Sequence, residues 1–266
     1  MARTTGLERL ILHRVGVAID KYSLISNGDR ILVALSGGKD SWTMFSILEN
    51  LRRKAPVRFE LLPVVVHPGF KGFRTDILEK YLQGHDFKYH IELSDIYGCI
   101  QDIKWKKNKE TTICAVCSRF RRGILYRLAP ALGCSKIALG HHADDLIETL
   151  LLNAFYEGRL ESMPARFNAE DGINTVIRPL VFVWERETRE YARIKKLPVI
   201  CCMCPACGDT SIKRPQVKRL LNELETGHPG IKKSFLKALR NFNPERLLDA
   251  KYYKELKNGK KIRESA

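Results

Sequence analysis

The chain has 266 residues, 44% hydrophobic and 29% charged, enough for one α/β domain with an appendage or for two small domains. Its 46 Lys and Arg exceed its 30 Asp and Glu, a formal net charge of +16, so a polyanion such as RNA is the expected partner, with a solvated basic surface as the alternative. No uncharged apolar stretch approaches the roughly 18 residues of a membrane span and the start lacks a secretory pattern, which predicts a cytoplasmic protein without a membrane partner.

Hydrophobic periodicity predicts a doubly wound α/β fold, in which helices cover both faces of a parallel sheet. A leading amphipathic helix is predicted over 7–25. Amphipathic segments then separate five strand-like apolar runs, at 31–35, 59–66, 89–93, 136–139 and 176–181. After Pro198 a cysteine-containing loop leads into a helical C-terminal tail. Ligands of such sheets bind beyond the carboxyl ends of the strands, where three loops are expected, at 36–41, 67–70 and 140–145.

The first of these loops reads Ser36-Gly37-Gly38-Lys39-Asp40-Ser41 and precedes a predicted helix over 42–51. Its glycines let the backbone approach an anion, and the serine hydroxyls, the free N–H groups and the helix dipole favour phosphate there. Lys39 adds a mobile cation. The spacing differs from that of a Walker A loop. We therefore predict a nucleotide-phosphate site of another kind, with an ordinary turn as the alternative.

The third loop, Gly140-His141-His142-Ala143-Asp144-Asp145, follows a short strand and opens a predicted helix over 146–155. Its carboxylates suit Mg²⁺ bound to phosphates, because Mg²⁺ takes one or two carboxylates together with substrate oxygens. The alternative is that one aspartate caps the helix while the histidines form local hydrogen bonds.

Eight cysteines in a chain predicted to be cytoplasmic favour metal or sulfur chemistry over disulfides. Two Cys-x-x-Cys pairs, at 114–117 and 204–207, each have the spacing to bind a metal from one loop. A structural zinc held by four thiolates is one interpretation. The basic stretch 118–123 after the first pair instead favours phosphate or RNA nearby. Cys99 and Cys134 are expected to be buried as small hydrophobic side chains.

The glycine loop resembles the PP-loop of the ATP pyrophosphatases, which hold the pyrophosphate of ATP and transfer AMP to a substrate oxygen. With the Gly-His-His-x-Asp-Asp run, it is similar to the tRNA lysidine synthetases and the tRNA 2-thiocytidine synthetases. The cysteines favour the second family, whose resemblance covers most of residues 30–248. The matching segments are 114–127, 140–158, 177–180, 204–208, 216–224 and 228–230.

Together, the sequence pattern and this resemblance predict an N-terminal helix over 1–28, a PP-loop ATP pyrophosphatase domain over 29–198, and a cysteine loop with a basic helical region over 199–266. The resemblance implies that ATP and Mg²⁺ bind at Ser36, Gly37, Gly38, Lys39, Asp40, Ser41, His67, Gly140 and His141. Lys39, with Arg121, is expected to stabilise charge on the phosphates. The remaining catalytic residues, expected to position Mg²⁺, are Asp40 and Asp144.

In the 2-thiocytidine synthetases three cysteines hold a [4Fe-4S] cluster and leave one iron to bind sulfide. Carried over by position, the ligands are Cys114, Cys117 and Cys204, with Cys207 nearby. Two further cysteines, at 201–202, crowd the second pair and depart from the family's pattern.

The implied reaction converts cytidine 32 of tRNA to 2-thiocytidine by adenylation of its C2 oxygen and sulfur transfer. The implied partners are tRNA, a sulfur donor such as a cysteine desulfurase or free sulfide, and a second copy in a homodimer. One alternative, a PP-loop enzyme that activates another tRNA base, leaves the paired cysteines without a role. The other, a non-catalytic RNA-binding module with a Cys₄ zinc, does not explain Asp40, Asp144 and Asp145 together.

Overall fold

The computed structural model describes residues 6–106, 113–201 and 213–248. Its strands are β1 (Arg30–Ala34), β2 (Glu60–His67), β3 (His90–Leu93), β4 (Lys136–Ala138), β5 (Arg166–Asn168) and β6 (Thr175–Ile177). They form one sheet in the order β3-β2-β1-β4-β6-β5. All neighbours are parallel except the edge strand β5, which runs antiparallel to β6. The α/β prediction is confirmed, with this antiparallel edge as an addition.

Helices cover the sheet from both sides. They are α1 (Gly6–Lys21), α2 (Lys39–Arg52), α3 (Thr75–Gly84), α4 (Ile96–Lys106), α5 (Ile113–Ala131), α6 (Ala143–Leu152), α7 (Glu185–Ile194), α8 (Lys213–Gly227) and α9 (Ile231–Ala238). A π-helical turn, Asn153–Glu157, extends α6. α1, α2 and α7 pack together, whereas α4 and α5 pack on each other. In the described parts of the chain, no helix has the length and apolar character to cross a membrane.

The strand order reverses at the centre of the sheet, which is where the candidate site forms. β1 pairs in parallel with β2 on one side and with β4 on the other. In open α/β sheets, the crevice beyond the carboxyl ends at such a reversal binds ligands. The loops 35–38, after β1, and 139–142, after β4, both lie at this edge.

Three elements differ from the expectations. The first helix ends at Lys21 rather than at residue 25, and Ser23 beyond it has a φ of 48°, which a helix cannot continue. The last predicted strand ends at Ile177, because Pro179 lacks an N–H for the ladder. β5 was not expected, since only three residues form it and they alternate between exposed and half-buried.

The described part of the chain divides into two compact units, with the boundary between residues 220 and 221. Within the second unit, the carboxylate of Glu225 accepts the backbone N–H groups of Gly230 at 3.0 Å and of Lys232 at 2.9 Å. These bonds satisfy N–H groups at the start of α9, where a carboxylate is also favoured by the helix dipole.

Candidate active site

The loop after β1 is held by hydrogen bonds between its serines and its own backbone. Ser41 Oγ accepts the Ser36 N–H at 3.2 Å and donates to the Gly38 carbonyl at 2.9 Å. Ser36 Oγ donates to Ser41 Oγ at 3.1 Å and accepts the Gly38 N–H at 3.3 Å. Gly38 precedes α2 and has no side chain to cap it. The first N–H groups of α2 are therefore placed to bind an anion.

Two glycines let other parts of the chain lie directly against this loop. Gly37 has a φ of 86°, and a Cβ there would lie 2.4 Å from Cγ1 of Ile200. The Gly37 carbonyl also accepts the Ile200 N–H at 2.9 Å. A Cβ on Gly140 would lie 3.1 Å from the backbone nitrogen of Ser41. The loops after β1 and β4 are thus in close contact.

Lys39 is held between two carboxylates. Its Nζ lies 2.8 Å from Oδ2 of Asp40 and 3.3 Å from Oε1 of Glu185, the first residue of α7. Burial lowers the pKa of Lys39, but its bonds with these acids outweigh that effect, so the pKa lies above its usual value. Glu185 also binds Nζ of Lys218 at 2.6 Å. Although burial raises the pKa of Glu185, the two lysines lower it to about 2.

The other oxygen of Asp40 faces α7 and the third loop. The hydroxyl of Thr188 donates to Oδ1 of Asp40 at 2.5 Å. Nε2 of His142 lies 3.7 Å from the same oxygen. Thr188 is fully buried and His142 nearly so. The carboxylate is therefore fixed in one orientation at the start of α2.

The two aspartates of the third loop hold different elements. Asp145 and His142 cap α6 reciprocally: the His142 N–H donates to Oδ2 of Asp145 at 3.0 Å, and the Asp145 N–H donates to Nδ1 of His142 at 3.4 Å. Asp144 is buried, and its Oδ2 accepts the Glu185 N–H at 2.8 Å. The capping that the sequence offered as an alternative is thus present at Asp145, while Asp144 joins α6 to α7.

His141 contacts the chain beyond β6. Its Nδ1 accepts a hydrogen bond from Nε of Arg178 at 3.2 Å. Burial, followed by the charge of Arg178, lowers the pKa of His141 to about 4. Arg178 also donates from Nη1 to the Pro164 carbonyl at 2.6 Å and lies 5.1 Å from the ring centre of Phe167. His141 is therefore neutral at physiological pH.

His67 lies at the end of β2, on the same edge of the sheet. Its Nδ1 accepts the Gly69 N–H at 3.1 Å, and its ring packs edge-on against Phe73 with 5.3 Å between centroids. Among the described residues, no contact joins His67 to the glycine loop. The expected role of His67 in ATP binding therefore rests on the position of β2 beside β1.

The cysteine pair Cys114 and Cys117 lies on α5, one helical turn apart, and not on a loop as the spacing suggested. Cys114 is exposed and Cys117 half-buried. Arg121 follows on the same face one turn later, and its buried Nε has no hydrogen-bond partner among the described residues. Cys204 and Cys207 lie outside the described residues. Within the described parts, no group of three His, Cys, Asp or Glu is placed to hold a metal ion.

The cysteines expected in the core are more accessible than predicted. Cys99 is exposed on α4, so that expectation was wrong for this residue. Cys134 is half-buried, and burial raises the pKa of its thiol.

The sequence did not point to Glu185 and Thr188, which the structure places at the centre of the site. They follow Trp184 in a segment without a recognisable motif. Glu185 and Thr188 lie one helical turn apart on α7, and they reach the site because α7 packs on α2. That packing is not visible in the sequence. A charged residue in the first turn of a helix is common for reasons of capping alone.

Comparison with known proteins matches residues 12–223 to the family model of the PP-loop domain. The tRNA-cytidine(32) 2-sulfurtransferase of Citrifermentans bemidjiense is 49% identical over 239 residues, 90% of this chain and 92% of that protein. The same values hold for the tRNA-cytidine(32) 2-sulfurtransferase of Geobacter sulfurreducens. A solved structure, the U34-tRNA thiolase NcsA from Methanococcus maripaludis with its [4Fe-4S] cluster, has 23% identity and a TM-score of 0.70, over 88% of this chain and 78% of that chain. That similarity shows a shared fold.

Proposed function

Because the chain belongs to the PP-loop family of the tRNA-cytidine(32) 2-sulfurtransferases, we propose that it is an ATP-dependent tRNA sulfurtransferase. It converts cytidine 32 of tRNA to 2-thiocytidine and splits ATP into AMP and pyrophosphate. The observation that carries the proposal is a pair of contacts made by Glu185 at the N-terminus of α2, beside the reversal of strand order. The Glu185 carboxylate pairs with Lys39, and the Glu185 N–H donates to Asp144.

ATP is bound through its pyrophosphate portion by residues 36–41. The N–H groups at the start of α2 and the serine hydroxyls donate to phosphate oxygens. Lys39 is protonated at neutral pH and supplies the positive charge. Gly140 and His141 border the nucleotide, because their loop lies against Ser41. We place the adenosine towards His67 on the neighbouring strand.

Mg²⁺ fits the acidic side of this site. Asp40 and Asp144 present carboxylate oxygens, the donors that Mg²⁺ prefers, next to a phosphate-binding helix start. Both carboxylates are oriented by α7, through the Thr188 hydroxyl and the Glu185 N–H. A Mg²⁺ ion bound by these two residues supplies charge neutralisation for the phosphates.

The reaction needs activation, because the C2 oxygen of cytosine is a poor leaving group. That oxygen attacks the α-phosphorus of ATP, an O–P bond forms, and the bond to pyrophosphate breaks. Lys39 and Arg121 stabilise the negative charge that develops on the phosphates. Sulfide then forms a bond to C2, and the former C2 oxygen departs with AMP. No net oxidation or reduction is required when the sulfur arrives as sulfide.

A [4Fe-4S] cluster fits the donor set of α5 in part. Cys114 and Cys117 offer two thiolates from one helix turn, and the third ligand of the proposal, Cys204, lies outside the described residues. A cluster bound by these three residues supplies a Lewis-acidic iron that can carry sulfide. The chain's own contribution is to hold the thiolates beside the cation of Arg121.

The tRNA is held mainly through its phosphates, which suits the net charge of +16. Arg119 and Arg122 are exposed on α5, close to the cysteines. The target base must leave its stack to reach the site. The proposal also includes a cysteine desulfurase or free sulfide as donor and a homodimer, which the resemblance implies, and the cytoplasmic location that the sequence predicts.

The test is thiolation of an unmodified tRNA by anaerobically purified protein with ATP, Mg²⁺ and sulfide. We expect 2-thiocytidine in the digested nucleosides and one AMP per sulfur incorporated. A tRNA with uridine at position 32 should give neither product with the wild-type protein, and the Lys39→Ala variant should give neither product with the normal tRNA. Lys88→Ala, at an exposed lysine, should match the wild type.

ATP turnover with another nucleophile but not with sulfide would favour a different PP-loop enzyme. Binding of tRNA without ATP turnover would favour an RNA-binding module.

A further inference from the structure

Arg178 directly follows β6 and is an unusual residue to find in a buried position. It is buried, and in the described part of the chain its polar partners are Nδ1 of His141 and the Pro164 carbonyl, with the face of Phe167 alongside. None of these partners carries a negative charge. Burial lowers the pKa of Arg178 to about 10, which still leaves it protonated at neutral pH. A buried cation without a carboxylate is costly to keep.

The hydrogen bond between Arg178 and His141 fixes where the histidine carries its proton. A guanidinium group has donors and no acceptor, so Nδ1 of His141 must accept and cannot itself be protonated. The proton of the neutral ring is then on Nε2. Protonation of Nδ1 would place two donors against each other at 3.2 Å.

His141 is well placed to use that proton. It follows Gly140, whose backbone lies against the backbone nitrogen of Ser41 in the phosphate-binding loop. The ring is half-buried, and its Nε2 has no hydrogen-bond partner among the described residues. An N–H that is fixed in direction and lacks a protein acceptor is available to a ligand.

We propose that Arg178 is a positioning residue that holds His141 as the Nε2–H tautomer, so that His141 donates a hydrogen bond to an oxygen of the nucleotide bound at residues 36–41. Arg178 acts through His141, and its charge also polarises the imidazole towards the anionic ligand. His141 is thereby a donor and not a general base. The role at the nucleotide rests on the proposed function, whereas the tautomer does not.

Several charged groups other than Arg178 also act on the His141 ring. Besides Arg178, the ring is influenced by Asp145 on α6, Arg214 on α8 and the neighbouring His142. Asp145 favours the protonated ring, but burial and the cations oppose it, and the pKa falls to about 4. The neutral tautomer is therefore the form present between pH 5 and 9.

The tautomer can be measured directly by ¹H–¹⁵N correlation spectra of the full-length protein labelled at histidine. The chain has seven histidines, and His141→Gln assigns the relevant signals, with His13→Gln at an exposed position as the assignment control. We expect a proton on Nε2, no titration of the ring between pH 5 and 9, and a shift of the Nε2–H signal with a non-hydrolysable ATP analogue. In Arg178→Gln the pKa of the ring should rise above about 4 but stay below its ordinary value of about 6.5, because burial still opposes protonation. A proton on Nδ1, or titration of the wild-type ring near neutrality, would overturn the proposal.

Steady-state kinetics of His141 variants distinguish a hydrogen-bond donor from a general base at this position. His141→Gln retains an N–H donor and should keep kcat/KM for ATP within about tenfold of the wild type, whereas His141→Ala should lose about 10- to 100-fold. Equal losses in both variants would contradict donation. Arg178→Lys keeps the positive charge and serves as the control for unfolding. It should retain a neutral His141 but lower kcat/KM, because an ammonium lacks the planar fork by which Nε and Nη1 of Arg178 reach Nδ1 of His141 and the Pro164 carbonyl. If the tautomer is as expected but the analogue leaves the Nε2–H signal unchanged, the nucleotide contact fails and the tautomer assignment stands.

Discussion

Lys39 and Glu185 form a 3.3 Å ion pair between the glycine loop, residues 36–41, and the first residue of α7. The backbone N–H of the same glutamate binds Asp144 at 2.8 Å. Glu185 therefore connects the cation of the site with one of its two proposed magnesium ligands. Helix α7 therefore orients both Lys39 and Asp144 at the candidate nucleotide site.

Replacing Glu185 by Gln keeps the backbone bond to Asp144 and removes one of the two negative charges that hold Lys39. We expect kcat/KM for ATP to fall about tenfold and the free energy of unfolding at pH 7 to fall by about 1–2 kcal/mol after allowance for solvent screening. Urea denaturation and steady-state kinetics measure the two effects. Glu190→Gln, on the exposed side of the same helix, should leave ATP use unchanged.

The loss of stability in Glu185→Gln should depend on pH. The pKa of Glu185 is about 2 in the folded protein against an ordinary 4.5. A depressed pKa means that the carboxylate stabilises the fold fully above pH 4.5 and progressively less as the pH falls towards 2. The difference in unfolding free energy between wild type and variant should therefore shrink below pH 4.5. A difference that stays constant from pH 6 to pH 2.5 would contradict the assigned pKa.

Gly37→Ala should impair both stability and nucleotide binding. Its φ of 86° disfavours a side chain, and the new Cβ would meet Ile200 at 2.4 Å. Backbone strain and steric overlap together should lower the free energy of unfolding by about 2–4 kcal/mol. Gly172→Ala is a matched control with a φ of 69° and open space around it, so it reports the strain alone. Combining Gly37→Ala with Ile200→Ala should recover part of the loss, as measured by urea denaturation and ATP calorimetry.

The sequence predicted the elements that carry a local pattern. Strands β1 to β4 and the position of the glycine loop were found because apolar runs and a glycine turn are properties of neighbouring residues. The Cys-x-x-Cys spacing of residues 114–117 could not distinguish a loop from the helix α5. Residues one turn apart on a helix and residues in a loop share the same Cys-x-x-Cys pattern.

The partners of the site could not be predicted in the same way. Thr188 reaches Asp40, and Arg178 reaches His141, only because α7 and the end of β6 are brought to the carboxyl edge of the sheet. Such contacts depend on how helices pack and on which strands are adjacent, and neither is visible in a short window of sequence. Burial was misjudged at Cys99 for the same reason, since the helix α4 presents that position to solvent.

Asp144→Asn tests the proposed magnesium site. The amide oxygen of Asn can still accept the Glu185 N–H, so stability should change by no more than about 1 kcal/mol. The lost charge should weaken Mg²⁺ binding, lower activity about 100-fold and raise the Mg²⁺ concentration needed for half-maximal rate. Asp145→Asn is the adjacent control, because Asp145 caps α6 and should affect stability more than Mg²⁺ dependence. An unchanged Mg²⁺ requirement in Asp144→Asn would exclude Asp144 as a ligand.

Iron analysis of cysteine variants tests the proposed cluster separately from the nucleotide site. Cys114→Ala and Cys117→Ala, purified without oxygen, should lose the about four irons and four labile sulfides expected of the wild type. Both should still bind ATP, because residues 36–41 belong to the loop after β1. Cys99→Ala and Cys134→Ala should retain full iron content and thiolation.

One zinc per chain, with no sulfide after reconstitution with iron, would instead assign Cys114 and Cys117 to a structural site of the kind that four thiolates form. The sulfur would then have to reach the activated base without a bound iron, and a persulfide carried by a donor protein would become the next reagent to test.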